Sequence, residues 1–163
     1  MKVKLVSWNV RGLNSRDKRR FVKSQIFNWK ADIVCLQESK LEREIQYMIK
    51  EIWGGRWVKY ACLQASGTKG GILMIWDSRS CRCEVLEVGS YTLTCKFEAR
   101  LQDFNCHITG VYAKNCRLKR KYVWDEIGAI RSLFEGPWVV CGDSIRQDFL
   151  LKREIVGGEH QLW

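Results

Sequence analysis

Three residues of this chain stand where chemistry is commonly built. Asn9, Glu38 and Asp143 each close an apolar run. Leu5-Val6-Ser7-Trp8 ends at Asn9, Asp32-Ile33-Val34-Cys35-Leu36 ends at Gln37-Glu38, and Trp138-Val139-Val140-Cys141 ends at Gly142-Asp143. Short apolar runs bounded by polar residues read as buried strands, and the carboxyl ends of strands are where α/β enzymes gather polar side chains. Two carboxylates and an amide at such edges could hold a hard divalent cation, Mg²⁺ or Mn²⁺, through oxygen. A cation there could polarise a phosphoryl oxygen and help form a hydroxide nucleophile. On spacing alone the same three residues also serve as ordinary caps and turn formers.

The elements that must position them follow from the periodicity. Val3–Asn9 reads as a strand. Asn14-Ser15-Arg16-Asp17 supplies a helix N-cap, and a helix runs to about Lys30 with Phe21, Val22, Ile26 and Trp29 at helical spacing. Ile33–Gln37 is a second strand. Glu42–Trp53 is a second helix, with Ile45, Met48, Ile49 and Ile52 on one stripe, stopped by Gly54-Gly55. This β-α-β-α opening is an α/β signature. Five strands are then predicted in succession, over Trp57–Cys62, Gly71–Trp76, Cys83–Val88, Tyr91–Ala99 and Asn105–Tyr112, with turns at Gly89-Ser90 and near Gln102-Asp103. Arg117–Phe134 reads as a third helix with Val123, Ile127, Ile130 and Phe134 inward, Gly136-Pro137 ends it, and Trp138–Cys141 is the next strand. Beyond Asp143 neither period is sustained.

The totals set the class. The 163 residues suggest one domain, and no run approaches the roughly 18 consecutive apolar residues of a membrane span. No signal peptide is visible, so the chain is expected to be intracellular, nuclear or cytoplasmic, and monomeric. The eight cysteines are then reduced thiols, most of them packing residues inside apolar runs. The net charge is +10, and residues 1–50 hold twelve Lys and Arg against five Asp and Glu. A second basic run comprises Arg117, Lys119, Arg120 and Lys121. Such clusters suit a polyanion, nucleic acid above all, although a solvated basic face has the same composition.

Five segments in order carry a resemblance: Ser7-Trp8-Asn9-Val10-Arg11-Gly12-Leu13, Ala31 to Leu41 with Leu36-Gln37-Glu38 at its centre, Gly70 to Trp76, Thr109 to Asn115, and Pro137 to Asp143. Together they resemble the endonuclease/exonuclease/phosphatase family over about residues 3–143. The Trp-Asn-Val-Arg-Gly-Leu form with Arg11 is most similar to the apurinic-endonuclease-like nuclease domain of plant LINE-type (non-LTR) retrotransposons. The resemblance implies a four-layer α/β (α+β) sandwich, two mostly antiparallel sheets flanked by helices. It also implies Mg²⁺-dependent cleavage of DNA, and an ancestral polyprotein with a reverse transcriptase. Glu38 would be the principal metal ligand. Asn9 would hold the metal site and its carboxylates, Tyr112 would contact the scissile phosphate, and Asp143 would orient or deprotonate the attacking water. Arg11, Lys114 and Asn115 would touch nucleic acid. Tyr112 could equally be a core aromatic ending a strand, and Trp8 and Trp76 are expected in the core.

The departures are as informative. The family follows Gly-Asp with an apolar residue and then Asn; here Ser144 and Ile145 stand in those places, and isoleucine cannot hydrogen-bond a phosphate. The family's later Asp and its Ser-Asp-His segment have no match, His160 lacking that context and His107 lying mid-strand. Residues 1–143 are therefore expected to form a partial domain, incomplete at the C-terminus, with 144–163 a divergent tail. Activity is expected to be impaired or lost. The competing expectations are a dead relic that binds nucleic acid, and a phosphatase on the same fold.

Overall fold

The computed structural model describes residues 3–43, 45–67, 70–101, 103–112, 117–142 and 152–155, with backbone alone for 117–118 and 152–155. In chain order the elements are β1 (Val3–Asn9), α1 (Arg16–Trp29), β2 (Ile33–Gln37), α2 (Ile45–Ile52), β3 (Val58–Leu63), β4 (Ile72–Asp77), β5 (Cys81–Val88), β6 (Thr92–Ala99), β7 (Asn105–Val111), α3 (Arg117–Arg131), β8 (Trp138–Cys141) and β9 (Lys152–Ile155). They form a five-stranded sheet of order β3-β4-β2-β1-β9 and a four-stranded sheet of order β5-β6-β7-β8. Among the described residues only β1–β2 and β7–β8 pair in parallel, and each of these pairs is bridged by a helix, α1 and α3. That is the expected four-layer sandwich of two mostly antiparallel sheets.

The strand patterns explain the layering. β2 and β4 are apolar at nearly every position because both faces are covered. Ile33, Cys35, Ile72 and Met74 meet Leu93, Cys95, Phe97 and Ile108 of the second sheet. Val34, Leu36, Leu73 and Ile75 face away, onto Val22 and Ile26 of α1 and Ile45, Ile49 and Ile52 of α2. Five of the described cysteines, Cys35, Cys81, Cys95, Cys106 and Cys141, are buried between the sheets. Trp76 is buried there too, edge-on to Phe97 at 5.5 Å.

Several boundaries differ from the sequence reading for identifiable reasons. Ser15 caps α1, its hydroxyl accepting from Lys18 N–H, and Lys30 closes it in a left-handed conformation at φ 52°. On α1, however, Arg19 is buried and Phe21 is half exposed. Arg19 donates to Glu51 Oε2 at 2.7 Å and to the carbonyls of Leu13 and Asn14, so the buried cation is held by one carboxylate and two backbone oxygens. Trp8 is half-buried rather than interior, with Phe21 and Trp29 set edge-on to it. α3 ends at Arg131, not Phe134, because Ser132 and Leu133 tighten to i−3 bonds and release Phe134 to stack on His107 at 3.8 Å. β9 has no counterpart in the periodicity, since Lys-Arg-Glu-Ile carries a single apolar residue; it pairs antiparallel with Val3–Val6 of β1.

Phe97→Ala should cost about 3–5 kcal/mol in urea unfolding, as buried aromatics do, whereas exposed Trp124→Ala should stay within about 0.5 kcal/mol. His107 gives a pH test. Burial first, then the charges of Lys96 and Arg131, hold its imidazole below the usual value against the opposing bond with the Pro137 backbone. The unfolded chain therefore takes up the proton first, and stability is lost as pH falls below about 6.5. His107→Leu should lose less stability than the parent between about pH 7.5 and 5.5, read from denaturant midpoints.

Candidate active site

β1 and β2 run in parallel, so their carboxyl ends lie side by side, Asn9 opposite Gln37. The pairing continues past both strands: Val10 N–H donates to Gln37, Gly12 N–H to Glu38 at 2.7 Å and Leu13 N–H to Ser39. On the far side of β2, Lys40 N–H donates to Gly70 at 2.6 Å and Ser39 N–H to Gly71. Glu38 is thus held from both sides by backbone. Its φ is 57°, and Arg11 (52°) and Lys40 (55°) share the left-handed region. Non-glycine residues there are uncommon, and a cluster of them at one strand end marks strain held by its surroundings.

The second sheet reaches the same place. An added Cβ at Gly110 of β7 would stand 2.8 Å from Cys35 Sγ and Ile72 Cγ2, so the sheets close tightly just below the site, and only glycine fits. Two residues on, Tyr112 emerges, its N–H held by the Tyr91 carbonyl at 2.9 Å. An added Cβ at Gly70 would stand 2.7 Å from Tyr112 Cζ and 3.1 Å from Glu38 Cγ. Gly70 therefore lies against both side chains. Burial first, and then the charge of Glu38, push the Tyr112 phenol above its usual value. It stays protonated at neutral pH and can donate a hydrogen bond beside a carboxylate that can accept one.

Each residue singled out from the sequence has a definite place. Glu38 has its side chain 23% exposed and Lys40 Nζ 3.6 Å from Oε1. Asn9 lies at the adjacent strand end and accepts from Arg11 N–H through Oδ1 at 3.0 Å, which turns the chain there. Arg11 is exposed on that turn. The structure brings Asn9, Arg11, Glu38 and Tyr112 to one end of the sandwich. Asp143, Lys114 and Asn115 lie outside the described residues, as do Ser144, Ile145 and His160. Gly142, which precedes Asp143, packs against the Val111 carbonyl of β7.

Sequence reasoning overlooked three supports. Gln37 is fully buried, donates to Ser7 Oγ and to the Cys35 carbonyl, and leaves Oε1 without a partner among the described residues. Arg19 anchors the Leu13-Asn14 loop, whose Asn14 in turn donates to the Lys40 carbonyl at 2.8 Å. Gly70 sets the gap for Tyr112. Only Gly70, within a Gly-Gly pair, left a local signal.

Among the described residues no cluster of three or more His, Cys, Asp or Glu stands ready for a metal. The donors among the described residues are the Glu38 carboxylate and the Asn9 carboxamide oxygen, which accepts the Arg11 N–H. That set still fits Mg²⁺, which keeps several waters and takes one or two protein carboxylates plus substrate phosphate. It does not fit a soft metal: burial holds the Cys81 and Cys106 thiols up at about 12, and a hydrogen bond with Cys141 raises Cys35 well above the ordinary range. Glu38→Gln should lower the Tyr112 titration only part of the way towards its usual value, because burial is the larger cause; carbon-13 NMR of the tyrosine ring reads this directly. Gly70→Ala should cost about 1–3 kcal/mol by overpacking against Tyr112, measured by urea unfolding.

Comparison with known proteins fits this geometry. Solved structures align across most of the chain. An AP endonuclease, LMAP from Leishmania major, gives a TM-score of 0.53 at 17% identity over 74% of this chain and 43% of its own. The endonuclease domain of TRAS1, a telomere-specific non-LTR retrotransposon, gives 0.62 at 12% over 86% and 59%. D. rerio TDP2 complexed with single strand DNA product gives 0.57 at 20% over 85% and 58%. The chain thus spans about half the length of these relatives. No curated protein matches it significantly. Residues 6–143 match the model of one family. With its two sheets and flanking helices, the chain belongs to the Endonuclease/Exonuclease/phosphatase family.

Proposed function

We propose that this chain belongs to a divalent-metal-dependent phosphodiesterase that acts on DNA, of the kind carried by LINE-type retrotransposons. The observation that carries the reading is the Glu38–Tyr112 pair, held at the joined carboxyl ends of both sheets by strained, hydrogen-bonded backbone. Likeness to an AP endonuclease, a retrotransposon endonuclease domain and a DNA-bound TDP2 supports DNA as substrate. The basic front half of the chain adds the charge that a polyanion needs. The Arg11 form of the first motif supports a plant element.

Glu38 and Asn9 would hold Mg²⁺ or Mn²⁺, which when bound would polarise a phosphoryl oxygen and favour a hydroxide nucleophile. The rest falls to the chain. Lys40, 3.6 Å from Glu38, is a counter-charge that an incoming phosphate can draw away. Tyr112, kept as a neutral phenol, donates to a non-bridging phosphate oxygen. Arg11, exposed on the turn after Asn9, meets the neighbouring backbone phosphate, where Lys114 and Asn115 add further contacts. Asp143 would orient or deprotonate the water. Ile145 leaves the phosphate without the amide donor that family members place there, and losing one such donor costs about 10²–10³ in rate. We infer slow catalysis on that ground.

Plasmid nicking tests the reading. Purified protein should convert supercoiled DNA to the open circle slowly in Mg²⁺ and not in EDTA. Glu38→Gln should abolish nicking while leaving salt-sensitive binding in place. Ile145→Asn should raise the rate by about tenfold or more. Nicking that survives both Glu38→Gln and EDTA would exclude the mechanism. Binding with no nicking in any variant would favour the relic that only binds.

A further inference from the structure

At the opposite end of the first sheet from Glu38, α2 and the edge strand β3 enclose a cleft of about 360 Å³. Gln37 pairs with Ile72 at the site end of β4, while Val58 pairs with Asp77 at the other, which separates cleft from site by the length of that strand. The floor is apolar and carries Ile49, Val58 and the ring of Tyr60; the rim carries Lys50, Arg56 and Lys59. No carboxylate lines it among the described residues. None of the three cations makes an ion pair with another described residue. Glu51, the acidic residue of α2, is taken by Arg19 on another face of the helix. Lys23 Nζ would lie 3.2 Å from a Cβ added at Gly54, so a fourth cation offsets the partial negative charge at the end of α2.

The lining has two chemistries, and one ligand class needs both. The Arg56 guanidinium, which lines the cleft, lies 4.9 Å from the centroid of the neighbouring exposed Trp57 ring, a cation–π pair that a base could join. A volume in the usual ~300–1,000 Å³ range of small-molecule sites admits one nucleotide unit. A duplex hides its bases in the stack and would meet only the rim. An acidic peptide would satisfy the cations and leave the aromatic floor without a planar partner. We propose that this cleft binds single-stranded nucleic acid, with a base against Tyr60 and the flanking phosphates on Lys50, Arg56 and Lys59. The inference stands apart from the reaction proposed at Glu38, and it uses the open edge of β3, where strand pairing leaves room for a chain to pass.

Fluorescence anisotropy with a labelled oligothymidylate, titrated into the full chain at several salt concentrations, tests it. The triple variant Lys50→Ala, Arg56→Ala, Lys59→Ala should bind at least tenfold more weakly. Its slope of log affinity against log salt should be shallower by about 2, as three lost single-strand phosphate contacts require. Tyr60→Leu keeps apolar volume without the ring and should cost about fivefold or more. A thermal melt of each variant verifies that it is folded. The same tenfold loss and shallower slope should appear when the triple variant is made in an Arg11→Ala background, which separates this cleft from the candidate active site. Unchanged affinity and slope in the triple variant would overturn the proposal. So would polyglutamate competing as well as the oligonucleotide, with the same dependence on the three cations.

Discussion

The structure depends on the parallel pairing of β1 with β2 and on its continuation beyond both strands. Carbonyls of Gln37, Glu38 and Ser39 each accept an N–H from the loop that leaves β1. Because the next strand over, β4, is antiparallel, the carbonyls of Gly70 and Gly71 lie on the other side, where they accept the N–H groups of Lys40 and Ser39. A left-handed backbone at Glu38 is unfavourable by itself for a side chain with a Cβ. It persists because bonds on both flanks over-determine it. Removing either flank would let Glu38 relax to an ordinary extended conformation, with its carboxylate turned elsewhere.

The second sheet adds only what the first cannot supply. Gly110 lets β7 approach Cys35 and Ile72 closely, and Tyr112 then meets Glu38 across the seam. Arg19 works from behind. By holding the Leu13 and Asn14 carbonyls and Glu51 together, it fixes the loop against α1 and α2 with a charge-assisted network whose hydrogen bonds are largely satisfied. The site is therefore a junction of three layers, the α1–α2 helices and both sheets, which is why no single motif contains it.

Much of this was legible in the sequence. β1, β2 and β8 have the boundaries that periodicity assigns, since apolar runs bounded by polar residues leave little choice. The polar residues closing β1 and β2 do share one end, and the family's motifs pointed to Tyr112 beside them. What could not be read was tertiary. Nothing local shows that Arg19 is buried, because helical spacing favours Phe21 on that face and charge favours solvent. Gln37 looks like a strand-end polar residue but is interior. β9 is held by backbone pairing, which leaves no apolar alternation to detect. Asp143, the third residue of the original pattern, lies beyond the described part of β8.

The thiols between the sheets carry a consequence for handling the molecule. Cys35, Cys81, Cys95, Cys106 and Cys141 are sheltered from water, and those with raised values hold their protons firmly, so these five thiols are poor targets for oxidants in the folded chain. The unfolded chain has no such shelter, and many alternative disulfides become open to it at once. Every excursion out of the native state in air is then a one-way exit, and the lifetime of a sample is set by how often it opens rather than by its equilibrium stability. A reducing solvent turns the same protein back into a reversible folder.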